Sequence, residues 1–168
     1  EYRYYFQYTL NQYPEMFEPN IPSADEQFRV LEELSGRLGR ERVVWRYDPV
    51  ITSAATPVGY HLEKLEKLAR GIGAMTGRLI ISFMDFYGKL GGRLGRIAEE
   101  HDMAFTDITA PENRNMLKEL CIGIKNVAGR YGLEVYTCAE AVDLQDFGIL
   151  HGSCIDGGLI QKLFKLDR

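Results

Sequence analysis

Hydrophobic residues along the chain follow two alternating patterns, short strand-like runs and longer stretches at helical spacing. The clearest helical period runs from Val58 to Ile72, where apolar residues recur every three or four positions. The clearest strand is an apolar run at residues 79–83, without the alternation of a half-exposed strand. Further strands are predicted at residues 4–10, 42–47, 104–108 and 133–138. This order of strands and helices predicts repeated βα units and a parallel sheet.

Residues with known preferences for helix ends mark where the predicted helices begin and end. A serine or threonine followed three residues later by a glutamate has the form of a capping box. A glycine after the last apolar residue favours a left-handed cap, and a proline suits the first helical turn. The starts fall at Ser23, Thr56 and Thr109, the ends at Gly39 and Gly132, and a last helix at residues 159–166 is capped by Asp156.

Parallel βα units fit either an open doubly wound sheet or part of a (β/α) barrel. No G-x-G-x-x-G motif follows the first strand and the strands are similar in length, which favours a partial TIM-like barrel. A closed barrel needs about eight strands, so we expect open edges covered by missing parts of a parent chain or by a homo-oligomer. The start at Glu1 also indicates that residues 1–168 are a single α/β domain from the centre of a larger protein.

Composition excludes several classes of protein. The chain has 168 residues and a formal net charge of −4, which is enough for one core and gives no overall attraction to nucleic acid. It has no apolar stretch near the ~18 residues of a membrane span and no secretory signal pattern at its start. An odd count of three cysteines argues against a disulfide framework, so we expect a bacterial cytoplasmic protein.

Polar residues follow each predicted strand, at the end where parallel α/β folds build their sites. Arg46 is the best candidate for binding a ligand, because a guanidinium can hold a carboxylate or phosphate through two hydrogen bonds. The alternative is a structural ion pair between Arg46 and a nearby carboxylate. The other strand-end candidates for contact with a small-molecule substrate, whose identity the residues do not give, are Gln7, Asn11 and Ser82.

Three carboxylates at the strand ends are candidates for catalysis, namely Asp48, Asp85 and Glu140. Asp48 precedes Pro49, whose ring stiffens the turn and fixes the direction of the carboxylate. Asp85 and Glu140 could form a pair for acid/base chemistry. Asp48 or Glu140 would also suit hydrogen bonds to polar groups such as ribose hydroxyls.

Two loops outside this set contain other reactive residue types. Residues 88–95 are rich in glycine and interleaved with cations, so their amides could hold a phosphate, but they match no phosphate-binding motif and a flexible loop is favoured. His151 and Cys154 lie three residues apart, as in a nucleophilic pair or a metal site completed by Cys138. The favoured interpretation is a buried thiol and a hydrogen-bonded histidine.

Four other residues are interpreted as structural. Cys121 falls in the apolar stripe of its helix and Trp45 lies in mid-strand, so both are predicted to be buried. His61 and His101 occupy positions interpreted as the exposed surfaces of their helices.

Several blocks of the sequence together resemble one uncharacterised bacterial family, defined by a domain of unknown function. The most specific blocks are Trp-Arg-Tyr-Asp-Pro at residues 45–49 and His-Gly-Ser-Cys-Ile-Asp at residues 151–156. Others lie at residues 5–11, 18–22, 81–85 and 137–140. The resemblance therefore extends along the whole chain.

The resemblance implies a longer parent protein with a cysteine-rich C-terminal tail. That tail is similar to the C-x-x-x-C-x-x-C cluster of radical S-adenosylmethionine enzymes, including spore photoproduct lyase, which use partial or full (β/α) barrels. This chain contains no such cluster. We therefore expect no cofactor in this chain alone, and an iron–sulfur cluster with S-adenosylmethionine in the full-length parent.

The expected function is the barrel segment of an iron–sulfur radical enzyme, with its pocket at the carboxyl ends of the strands. Two alternatives stay open. One is a non-catalytic domain that binds a small ligand or a protein, and the other is a metal-assisted hydrolase that uses His151 and Cys154. Iron in the parent distinguishes the radical enzyme from the binding domain, and zinc in this chain alone would indicate the hydrolase.

Overall fold

A computed structural model describes residues 2–84, 86, 92–138 and 140–165 of the chain. Its strands are β1 (Phe6–Thr9), β2 (Val43–Val50), β3 (Arg78–Phe83) and β4 (Glu134–Thr137). Its helices are α1 (Ala24–Leu38), α2 (Val58–Ile72), α3 (Arg93–Glu100), α4 (Arg114–Arg130) and α5 (Gly157–Phe164). Within these residues, no helix combines the length and the apolar character needed to cross a bilayer.

The four strands form one parallel sheet in the order β1-β2-β3-β4. The predicted α/β class and parallel sheet are confirmed. The sheet is open, with β1 and β4 at its edges, so the described residues form no closed barrel. Its register sets four residues in one row across the sheet, Thr9, Arg46, Ile80 and Tyr136.

One face of the sheet carries the main hydrophobic core. Strand side chains alternate between the two faces. On this face the strands contribute apolar side chains that pack against α1, α2 and α4, among them Tyr47, Leu79, Ile81 and Val135. Trp45 is fully buried there, and its indole N–H donates to the Leu10 carbonyl at 2.9 Å. Cys121 is buried as predicted, and burial raises the pKa of its thiol to about 12.

The opposite face is covered by α5 near the amino ends of the strands. Val44 and Ile80 pack there against Leu159 of α5. Before α5, the chain runs beside β4, where the Leu150 N–H donates to the Val135 carbonyl at 2.9 Å and Leu150 forms a single parallel bridge with Tyr136. The segment after β4 thus pairs with the sheet edge and then crosses its open face.

The predicted helix ends are confirmed where the signals are local. Ser23 and Glu26 form a full capping box, in which the Ser23 N–H donates to the Glu26 carboxylate at 2.9 Å. Asp156 caps α5 by accepting a backbone N–H at 2.9 Å. Gly39 and Gly132 follow their helices with positive φ angles of 85° and 65°. A left-handed conformation of this kind favours glycine.

Thr56 and Thr109, predicted to cap α2 and α4, do not do so. The Thr56 hydroxyl donates to the Ile51 carbonyl, and the Thr109 hydroxyl donates to the Asp107 carboxylate, each at 2.6 Å. A 3-10 turn at Pro111–Asn113 precedes α4. Both hydroxyls therefore stabilise the loops, and neither helix start has a side-chain cap.

Two strand predictions are wrong in extent. β2 does not end before Asp48 but continues to Val50. Its pairing with β3 shifts register between Tyr47 and Val50, so the pairing needs no backbone N–H from Pro49, which has none. The strand predicted at residues 104–108 is reduced to a single bridge between Phe105 and Ser53. An apolar run alone does not show whether a partner strand lies beside it.

His61 is fully buried, so its predicted surface position is wrong, whereas His101 is exposed as predicted. The His61 Nδ1 atom accepts from the Tyr47 hydroxyl at 2.9 Å, and Nε2 donates to the Ile51 carbonyl at 3.1 Å. A carbonyl can only accept, which sets the tautomer with hydrogen on Nε2. Burial lowers the pKa of His61 to about 4, so the ring is neutral at pH 7.

Candidate functional site

Five polar side chains meet at the carboxyl end of the sheet, on the face opposite α1, α2 and α4. We call them the Arg46 cluster: Gln7, Arg46, Asp48, Ser82 and Cys138. They share a face because alternate residues of a strand point the same way, and the parallel register sets their strands side by side. The structure thus brings together four residues selected from the sequence as site candidates.

The Arg46 guanidinium lies at the centre of the cluster. Its Nε atom donates to Asp48 Oδ2 at 2.8 Å, and Nη2 forms a further hydrogen bond to the same oxygen. Nη1 donates to Gln7 Oε1 at 2.6 Å, and Nη2 contacts Cys138 Sγ at 3.4 Å. The side chains of Arg46 and Asp48 are 21% and 17% exposed. The ion pair is therefore shielded from bulk solvent without being fully buried.

Asp48 is also held from its other side. The Ser82 hydroxyl donates to its Oδ1 atom. The Asn11 side chain bonds both backbone groups of Asp48, accepting from its N–H at 2.8 Å and donating to its carbonyl at 3.0 Å. Asn11 is 3% exposed and also donates to Glu18 at 2.7 Å. Asn11, predicted to bind ligand, therefore positions Asp48 from the protein interior.

Electrostatics within the cluster favour a charged arginine and a neutral thiol. Burial alone lowers the pKa of Arg46. The hydrogen bonds and the electrostatic attraction from Asp48 together have the larger, opposite effect, so the pKa of Arg46 lies above its ordinary value. Burial and the contact with Cys154 raise the pKa of the Cys138 thiol, against the opposing effect of Arg46. Cys138 is therefore protonated at neutral pH.

Cys154 lies beside the cluster, on the loop before α5. Its thiol is exposed, so the favoured interpretation of a buried thiol is wrong for this residue. Its Sγ atom lies 3.2 Å from that of Cys138, and its carbonyl accepts from Gln7 Nε2 at 2.8 Å. Gly152 allows this approach, because a Cβ atom at that position would lie 2.3 Å from the Thr137 carbonyl oxygen. The loop therefore passes over β4 at a distance that only glycine permits.

Comparison with known proteins assigns the chain to one family. A family model described as a domain of unknown function (DUF1848) matches residues 1–168. The chain belongs to this family. No curated protein and no solved structure matches it. The resemblance seen in the sequence is confirmed at this level.

Of the carboxylates predicted to be catalytic in the DUF1848 chain, Asp48 lies in the Arg46 cluster and Glu140 lies outside it. Glu140 accepts from the Phe83 N–H at 2.8 Å, where β3 ends. This contact gives Glu140 a part in fixing the backbone at the end of the sheet. Asp85 lies outside the described residues, as do residues 88–91 of the glycine-rich stretch. The predicted pairing of Asp85 with Glu140 therefore stays a prediction.

A second group of charged residues lines a cleft of about 490 Å³ near the amino ends of β3 and β4. Arg78, 9% exposed, forms an ion pair with Asp156 and stacks 3.9 Å from the centre of the Tyr136 ring. The exposed His151 side chain lines the same cleft. Sequence reasoning missed Arg78, whose signal is a cation at the first position of the otherwise mainly apolar strand β3. Such a cation needs a partner, and the cap of α5 supplies it.

Metal binding has little support in the residues that the structure describes. No group of three or more histidine, cysteine or acidic side chains among them is arranged to hold an ion. Cys138 and Cys154 are a pair of thiols, whereas His151 lies in the neighbouring cleft. Zinc takes four protein ligands in structural sites and three in catalytic ones. This donor set therefore fits neither zinc site, and it gives no support to a metal-assisted hydrolase.

Proposed function

We propose that this chain is the ligand-binding sheet of a larger (β/α)-barrel enzyme of the radical S-adenosylmethionine type, and that the Arg46 cluster binds a small polar ligand. The observation that carries the proposal is the convergence of charged and polar side chains from adjacent parallel strands at one end of the sheet. They lie at the carboxyl end, on the face free of the connecting helices. In a barrel this face is the interior, and this end holds the active site.

The strand order supports a sector of a barrel. α1, α2 and α4 each connect neighbouring strands and pack on the same face. A doubly wound sheet reverses its strand order and has helices on both faces, whereas a barrel adds strands in sequence with the connecting helices outside. The bridge at Leu150 lies where a fifth strand would pair. Parent segments beside β1 and β4 would extend the sheet toward closure.

The Arg46–Asp48 pair offers a cation and an anion at one shielded position. A ligand carboxylate would bind the guanidinium in competition with Asp48, and ligand amino or hydroxyl groups would donate to Asp48. S-adenosylmethionine carries a carboxylate, an amino group and ribose hydroxyls, so it fits this combination. Gln7 and Ser82 would hold the charged pair in position. The same chemistry fits a polar substrate.

The iron–sulfur cluster in this proposal is bound outside this chain. The cluster motif to which the family is similar has three closely spaced cysteines, whereas Cys138 and Cys154 are a pair separated by 16 positions. These thiols therefore do not fit an iron–sulfur cluster. The cysteine-rich tail of the parent would bind the cluster, and the Arg46 cluster would present the ligand to it.

Iron and acid-labile sulfide, measured in the anaerobically purified parent and in the 168-residue chain, test the type of enzyme. We expect both in the parent and neither in the isolated chain. A reconstituted parent without iron would contradict the radical-enzyme assignment.

Binding of S-adenosylmethionine to the parent, measured by isothermal titration calorimetry, tests the site. Arg46→Gln removes the charge that would hold the carboxylate, so the dissociation constant should rise about tenfold or more. Arg96→Gln on the exposed surface of α3 is the matched control and should bind like the wild type. Equal binding by the wild type and Arg46→Gln would place the ligand elsewhere.

A second candidate function is non-catalytic binding of a small ligand or a protein. It is favoured by the contacts that Arg46 already makes within the chain. Its donors already contact Asp48, Gln7 and Cys138. A guanidinium held in this way can act as a structural cross-link between β1, β2 and β4. In that case Arg46→Gln would lower the melting temperature by several degrees and leave ligand affinity unchanged in the protein that remains folded.

A further inference from the structure

We propose that Cys138 and Cys154 form a reversible disulfide by exchange with a low-molecular-weight disulfide, so that the chain carries a redox-active dithiol beside the Arg46 cluster. The two Sγ atoms lie 3.2 Å apart. A disulfide bond is about 2.05 Å long, so closure requires an approach of about 1 Å. This inference concerns the chain by itself and does not depend on the proposed enzyme type.

The two cysteines differ in how firmly their backbones are held. Cys138 directly follows β4, and its N–H donates to the Ile81 carbonyl at 2.9 Å, which fixes it to the sheet. Cys154 lies in the loop between the bridge at Leu150 and the cap at Asp156, and it is exposed. The small movement needed for closure therefore falls on the Cys154 loop, and the sheet keeps its register.

Exposure sets the order of the two exchange steps. The Cys154 thiol is exposed, so its thiolate attacks a sulfur of the disulfide RSSR, displaces one thiolate RS⁻ and forms the mixed disulfide Cys154–S–S–R. The Cys138 thiol then loses its proton, and its thiolate attacks the Cys154 sulfur and displaces the second RS⁻. Two protein thiols are oxidised to one disulfide, RSSR is reduced to two thiols, and the two protons pass to the departing thiolates.

Arg46 links this exchange to the cluster. Its Nη2 atom lies 3.4 Å from Cys138 Sγ, where a cation stabilises the thiolate that attacks in the second step. Once the disulfide has formed, that sulfur can no longer carry negative charge. The Arg46 guanidinium then keeps Asp48 as its anionic partner.

Equilibration of the reduced 168-residue chain with mixtures of glutathione and glutathione disulfide tests the proposal. The samples are alkylated at set times and analysed by intact mass and peptide mapping. We expect two thiols to be lost together and a Cys138–Cys154 linked peptide to form, while the buried Cys121 stays reduced. Reduction with excess glutathione should restore all three thiols.

Single variants separate the two steps. Cys138→Ser should stop at a stable glutathione adduct on Cys154, and Cys154→Ser should form neither adduct nor disulfide. Cys121→Ser is the control and should behave like the wild type. Arg46→Gln should slow closure several-fold with little effect on the first step. A wild-type chain that stays reduced in excess glutathione disulfide, or that keeps the adduct on Cys154 without closing, would overturn the proposal.

Discussion

Single buried polar residues fix the end of β2 on which the candidate site depends. Asn11, Thr56 and His61 are each at most 3% exposed, and each bonds a backbone group between Asp48 and Ile51. Asn11 comes from the loop after β1, whereas Thr56 and His61 come from the start of α2 and the loop before it. A hydrophobic pattern treats each of them as an interruption, and their partners become visible only in the folded chain.

His61 should make stability depend on pH. Its pKa is about 4 when folded and about 6.5 when unfolded, so the unfolded chain binds a proton more readily below pH 6.5. Its stabilising effect is complete above about pH 6.5 and is lost as the pH falls toward 4, by on the order of 3 kcal/mol. Urea unfolding between pH 7.5 and 4.5 should show this loss in the wild type and less of it in His61→Gln. Equal pH dependence in both proteins would contradict the assignment.

Asn11 should contribute to stability through its hydrogen bonds to Asp48. Asn11→Ala leaves the Asp48 N–H without its acceptor, so we expect the free energy of unfolding to fall by about 2 kcal/mol. Asn115→Ala on the exposed surface of α4 is the matched control and should change stability by less than about 0.5 kcal/mol. Chemical denaturation of both variants measures these changes. Equal losses of unfolding free energy would show that the hydrogen bonds of Asn11 to Asp48 make no specific contribution to stability.

At the scale of the elements, the sequence predicts those ends that are set by residues within one turn of each other. The capping box at Ser23 and the cap at Asp156 accept backbone N–H groups at the start of the helices that they precede, so local spacing is sufficient to find them. The caps predicted at Thr56 and Thr109 do not form, because each hydroxyl donates to an acceptor in the preceding loop. The extension of β2 through Pro49 depends on β3, which no local pattern contains.

The loop before α5 should depend on glycine at one of its positions. In Gly152→Ala, the new Cβ would lie 2.3 Å from a carbonyl of β4, so we expect a loss of about 2 kcal/mol and a displaced loop. Gly157→Ala, where a Cβ meets no atom within 4 Å, is the control and should be neutral or slightly stabilising. Thermal unfolding checks stability, and the rate of the Cys138–Cys154 closure checks the loop position. Similar behaviour of the two variants would contradict the close approach.

At the scale of the whole molecule, the positions of strand ends in the sequence are sufficient to predict a large part of the candidate site. They select Gln7, Arg46, Asp48 and Ser82, which the fold brings together. These four residues lie together because parallel strands share one carboxyl edge. The prediction does not extend to the inward orientation of Asn11 or to the meeting of two cysteines, because both depend on how loops cross the sheet.

The open sheet predicts unequal hydrogen exchange. Among the residues that the structure describes, β2 and β3 have neighbouring strands on both sides, whereas β1 has one neighbour. Amides at residues 44–47 and 79–82 should therefore exchange at least about a hundredfold more slowly than those at 6–9. Equal protection would show that the outer edge of β1 is covered in solution, as in the expected homo-oligomer. Light scattering and repetition of the exchange at lower concentration would then distinguish a second copy from an intrinsically protected edge.

The crossing of the open face by the last loop has a consequence for the order in which this protein is made. The bond from Gln7 to the Cys154 carbonyl joins residues 147 positions apart. A ribosome that has released β1 to β4 has therefore supplied the sheet and the charged pair, but Gln7 still lacks one partner and Cys138 its neighbouring thiol. The complete site appears only after the loop before α5 has left the exit tunnel. Its assembly therefore follows the synthesis of all four strands.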